Sequence, residues 1–263
     1  MAVELRFDPA FVEEAVFLEL GRSIVAGAHQ MAFSFHRERE AVYELPDAQQ
    51  REAAFGQLAR RYFHELGLAE LFTERLSEVP RVSAHAELVV VRRVWNRKDE
   101  QVEWYVGRPA TRPAGSCEAG GKTRLALEIS TTLFIGLQAV RCLDRGKLTA
   151  FLRHELAHVA DMLDPAFAYD PHAAFGGECE PENELIRERF RVLWDLWAHA
   201  RMRRRGWQTI LDDDARQGEV MRAFAFLSSL GQEELLTAVS RQDRWTQEEL
   251  LALARHPHVE AAT

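Results

Sequence analysis

The chain has 263 residues, of which 47% are hydrophobic and 28% charged; this suffices for a sizeable core in one domain or two and excludes a disordered or fibrous protein. A formal net charge of -8 argues against a broad phosphate-binding surface, because nucleic-acid affinity draws on excess Lys and Arg. No apolar run approaches the roughly 20 residues of a membrane span. Cys117, Cys142 and Cys179 are odd in number and widely spaced, unlike a disulfide framework or a Cys-x-x-Cys clip, and the N-terminal residues lack a secretory pattern; the expectation is a cytoplasmic protein with reduced thiols.

From Asp8 to about Glu78, "FVEEAVFLEL", "AQQREAAFGQLARRYFHELG" and "LAELFTERL" carry apolar residues at helical spacing. His29, His36 and His64 fall within this helical region and read as packed or surface histidines. At Pro80 the texture changes. "AELVVVRRVW" (86 to 95), "QVEWYVG" (101 to 107) and "TRLALEIS" (123 to 130) read as three strands separated by polar or Gly-rich turns, the first two as a hairpin and the third as an edge strand. A helix containing "FLRHELAHVADML" follows and stops before Pro165, since a proline pushes its predecessor out of helical geometry. Residues 164 to 180 read as a loop, and a second helix starts near Pro181. Its basic end, "RMRRRGW" at 201 to 207, reads as cations offsetting the helix dipole before a stop at Gly206. The remainder is helical. The pattern predicts an α+β fold, mostly helical, with a small and mostly antiparallel sheet packed on the helix of residues 154 to 158. It is divided into a helical N-terminal region, 1–80, and a core with C-terminal helices, 81–263, unless the two are continuous.

The chemistry concentrates in "HELAH", 154 to 158. On a helical wheel His158 lies about 40° from His154, while Leu152, Leu156, Val159 and Leu163 gather on the opposite side. Two imidazoles one turn apart can converge on a single Zn2+ ion. Glu155 is rotated about 100° from His154 and is poorly placed as a ligand; it is well placed to take a proton from a water whose pKa the ion lowers to about 7. Asp164 lies about 15 Å further along the axis if the helix continues. Asp161 shares the histidine face and reads as a partner that orients an imidazole.

"HELAHVAD" resembles the active-site helix of the zincin metallopeptidases, and the order of strand, H-E-x-x-H helix, loop and acidic helix is similar to the gluzincin branch. The resemblance implies His154 and His158 as ligands, Glu155 as general base, and a glutamate of the following helix as third ligand. Asp161 stands where the metzincin pattern has its glycine, which counts against that branch. In the following helix Glu184, Glu188, Arg191, Asp195 and His199 share a face, and "ENELIRE" is similar to the family's Glu-x-x-x-Asp, with Glu188 in place of Asp. Glu184 is therefore the expected third ligand, with Glu188, Glu182, His199 and Asp195 as alternatives. Tyr169, His172, Arg191 and His199 are candidates for stabilising an oxyanion, and Cys179 in the loop for occupying the open metal position.

The function this implies is zinc-dependent hydrolysis of a peptide or protein substrate, with no nucleic-acid or membrane partner. The alternative is a zinc-stabilised interaction module that performs no chemistry.

Overall fold

The computed structural model describes residues 3–107 and 130–257. It is an α+β fold, 65% helical, with one small four-stranded mixed sheet. The chain divides into two compact units, Met1–Asp144 and Arg145–Thr263.

The first unit begins with a strand absent from the sequence reading, β1 (Glu4–Phe7), followed by helices α1 (Pro9–Val25), α2 (His29–Tyr43), α3 (Ala48–Glu65), α4 (Leu68–Ser77) and α5 (Pro80–His85). Strands β2 (Leu88–Arg93), β3 (Gln101–Gly107) and β4 (Ser130–Leu137) complete it. Asp8 makes the turn from β1 into α1: its carboxylate accepts the Ala10 N–H at 2.9 Å, satisfying a donor that the first helical turn leaves open. Pro9 follows where its missing N–H costs nothing. The helices do not stand apart from the sheet. Phe7 of β1 packs edge-on against Phe63 of α3 and Phe72 of α4, with ring centroids 4.9 and 5.3 Å apart.

The sheet order is β1-β2-β4-β3. β2 pairs in parallel with β1 and β4, and only β3 against β4 is antiparallel. The expected hairpin of β2 with β3, and with it a mostly antiparallel sheet, is thus corrected. The polar turn after Arg93 does reverse the chain, but β4 occupies the slot between the two strands. Its near-continuous apolar run explains why: Leu133, Ile135 and Leu137 are at most 1% exposed, the pattern of an interior strand. At Gly136 the turn between β2 and β3 comes close, and a Cβ there would meet Val94 Cγ1 at 3.0 Å and the Asp99 carbonyl at 3.3 Å. Residues 123–129 of the expected third strand, and Cys117, lie outside the described residues.

The second unit contains α6 (Arg145–Met162), α7 (Glu180–Arg204), α8 (Asp213–Ala223), α9 (Ser229–Arg241) and α10 (Gln247–Arg255). One apolar stripe of α7, including Ile186, Phe190, Leu193 and Trp197, packs with Val220 and Phe224 of α8, Leu235 and Val239 of α9 and Leu250 and Leu251 of α10. α6 ends before Pro165 and α7 starts with Pro181 in its first turn, as the sequence predicts. After α7, Gly206 takes φ +69° and the Gly206 and Trp207 amides cap Arg203 and Met202 carbonyls at 2.9 and 3.0 Å. The basic run ahead of it is absorbed by the unit itself: Arg201 pairs with Asp161, Arg203 with Asp213 and Arg204 with Asp243.

The loop from α6 to α7 is fastened down. Phe167 stacks on Trp194 and Trp197, with ring centroids at 5.0 and 6.0 Å. Its carbonyl accepts the Gln247 N–H at 2.8 Å. Further on, Arg255 donates to the Ala174 and Phe175 carbonyls at 2.6 and 2.7 Å. Among the described residues no helix is long and apolar enough to cross a membrane.

Candidate metal centre

His154 and His158 present their rings from the middle of α6, with centroids 4.6 Å apart. Facing them from α7 is Asp195. Its Oδ1 lies 3.0 Å from His158 Nε2 and 3.7 Å from His154 Nε2, and these three residues each offer a ligand atom within 4.8 Å of the others. In a tetrahedral site with bonds of ~2.1 Å, neighbouring ligand atoms sit roughly 3.4 Å apart, a spacing that the two observed distances bracket.

The surroundings make the cluster a poor resting place without a further partner. His154 is 5% exposed, and its Nε2 is buried with no hydrogen-bond partner, an arrangement that normally costs about 1–3 kcal/mol. Burial, aided by the like charge of His158, pushes the His154 imidazole below its ordinary pKa, toward the neutral form that ligates metal. For Asp195, burial alone would raise the pKa; the hydrogen bond and charge of His158, the charge of His154 and the guanidinium of Arg216 overcome it and hold the carboxyl well below its usual range. The donor set, two imidazoles and one ionised carboxylate, suits a divalent zinc ion with a fourth position left for water or substrate.

The structure brings Asp195, one of the alternatives offered by the sequence, to the two histidines, and it does not bring the expected Glu184 there. Glu184 is exposed near the start of α7, about 16 Å of helix rise from Asp195. Glu188 is exposed likewise, and Glu182 accepts the Glu178 N–H at 2.6 Å in the turn before α7. His199, one turn beyond Asp195, pairs instead with Asp213 at 2.8 Å. Asp164 accepts the Ala166 N–H at 3.0 Å in the turn after α6.

Asp161 does not orient an imidazole as expected. Its carboxylate accepts the Trp194 Nε1–H at 2.8 Å and both terminal nitrogens of Arg201 at 2.6 and 2.5 Å. Its link to the centre runs through Trp194, whose ring meets His158 edge to face at 4.6 Å and 87°. Glu155 sits beside the cluster with its Oε1 3.3 Å from His154 Nδ1 and its side chain 24% exposed. Of the residues named for oxyanion stabilisation, Arg191 reaches the cluster, its Nη1 lying 3.5 Å from Asp195 Oδ2; Tyr169 packs on Trp194 at 6.0 Å and His172 is exposed. Cys179 is exposed just before α7 and belongs to no cluster of ligand atoms among the described residues.

A signal for Asp195 is present in the sequence. It interrupts the apolar run "VLWDLWA", and a carboxylate set among large apolar residues needs a partner for its charge. No protein-family model, curated protein or solved structure matches the chain.

Proposed function

We propose that the protein is a zinc-dependent hydrolase acting on peptide bonds, with His154, His158 and Asp195 as the metal-binding residues and Glu155 as general base. The observation that carries this reading is the convergence of ligand atoms of His154, His158 and Asp195 from α6 and α7, with His154 Nε2 buried and without a hydrogen-bond partner. When bound, zinc would supply Lewis acidity, polarising a carbonyl and making water acidic near neutral pH. The protein's own contributions are distinct. α6 fixes the two imidazoles one turn apart, and Asp195 balances charge from the opposite helix. Glu155, partly open to solvent and adjacent to the first ligand, takes the proton of the attacking water and returns it to the leaving nitrogen. A cytoplasmic setting remains part of this reading and rests on the sequence alone.

A second reading, a zinc-stabilised module without turnover, draws on the direct His158–Asp195 bond at 3.0 Å, which already ties α6 to α7. The substitution Glu155→Gln separates the two. The hydrolase reading expects one zinc per chain in both proteins, and cleavage of a peptide library by the unaltered protein that drops by at least about 100-fold in the variant. Stoichiometric zinc with no cleavage by either protein would favour the module.

A further inference from the structure

We propose that Arg216 is a positioning residue for the metal centre: it holds one oxygen of Asp195 so that the carboxylate presents a single oxygen to the ion. The inference rests on the metal-binding reading above. Arg216 comes from the first turns of α8, whose start is fixed by Asp212 capping the Ala215 N–H at 2.7 Å. The residue is only 4% exposed. Its Nη1 lies 2.5 Å from Glu219 Oε2 and 3.4 Å from Asp195 Oδ2. Oδ2 also faces Arg191, at 3.5 Å, whereas Oδ1 faces the two imidazoles.

The carboxylate is therefore divided between two charges. One oxygen looks toward guanidinium groups, and the other toward the nitrogens that would bind the ion. A buried cation is costly unless paired, and Glu219 alone would neutralise Arg216; its approach to Asp195 thus adds a contact that pairing within α8 does not demand. Arg191 cannot substitute for it, because its side chain is 64% exposed and a contact so open to water is weak. The effect on the ligand is geometric. With Oδ2 occupied, rotation of Asp195 to a bidentate pose or away from the histidines loses a charge-assisted contact. Groups that orient metal ligands in this way typically carry 10–100-fold in metal affinity.

The test compares Arg216→Met, Arg216→Lys and Glu219→Gln in the full chain, reading zinc affinity by competition with a chromophoric chelator and the visible spectrum of the cobalt-loaded protein. Arg216→Met should bind zinc about 10–100-fold more weakly and alter the cobalt spectrum, with Arg216→Lys intermediate. Glu219→Gln, which removes the partner inside α8 and leaves Asp195 its cation, should bind as the unaltered protein does. Should Arg216→Met fail to fold, Arg216→Ala with added guanidinium offers a second route. Arg216 lines a cavity of about 540 Å³ between α7, α8 and α9, through which the free ion should restore the lost affinity. Unchanged affinity and spectrum in a folded Arg216→Met protein, or no recovery with guanidinium, would overturn the inference alone. Absence of zinc from the unaltered protein would overturn both it and the reading beneath it.

Discussion

A carboxylate between Trp194 and Leu196 gives up most of its water, so its ionised form persists only through the charges that meet it. Removing Asp195 should therefore act on metal binding far more than removing an acid in the solvated first turns of α7. Asp195→Ala is expected to lower zinc affinity by at least about 100-fold, since on the proposed reading a ligand rather than a supporting group is lost. Glu184→Ala should leave it unchanged. Equal losses from both in a dialysis and metal-content assay would contradict the site. At the other end of the chain, burial and then a 2.9 Å bond to Glu38 raise Tyr62 to a pKa of about 12. The folded value lies above the ordinary value of 10, so this contribution to stability is complete below pH ~10 and disappears as pH rises toward 12. Ultraviolet titration should show late-ionising tyrosines, since burial also raises Tyr169, and Tyr62→Phe should remove one of them and flatten the alkaline fall in stability. At this scale the sequence exposed His154, Glu155 and His158 because they share one helical turn. It left Asp195 one alternative among several because the helix face it shares with Glu184 continues for three turns, and a wheel does not say which turn meets the partner helix.

The seam between α6 and α7 is held by a buried polar joint as well as by apolar packing. Asp161 is 5% exposed and satisfies Trp194 and Arg201 together. Asp161→Ala leaves a largely buried guanidinium and an indole N–H without their acceptor, a loss on the order of 3–5 kcal/mol. Trp194→Phe removes the N–H along with its bond, and should cost about 1–3 kcal/mol. Chemical denaturation of the two variants checks this ordering; a Trp194→Phe protein as unstable as Asp161→Ala would show that ring packing, not the joint, dominates. The longer helices were legible because three- and four-residue spacing recurs over many turns, whereas α5, only six residues long, was not. Strand partners were not. Four residues of β1 are too few to display a period, and the order of strands depends on which one buries both faces, a property of the whole sheet.

The division into Met1–Asp144 and Arg145–Thr263 places every proposed metal-binding residue in the second unit. Zinc should thus stabilise α6 and α7 by mass action, by about 4 kcal/mol at a thousand-fold excess over its dissociation constant. Hydrogen exchange read along the chain should show chelation raising exchange in these helices and leaving β2 and β4 unaltered. Exchange raised by chelation in the strands alone would place the ion elsewhere. A last consequence follows from the fastening of the segment between α6 and α7. Gln247 and Arg255 of α10 grip its backbone at two places, so the wall beside His158 should be complete only once α10 has been made. A ribosome that stopped short of α10 would release a polypeptide with every proposed zinc-binding side chain present and the aromatic shelter of Trp194 unlatched.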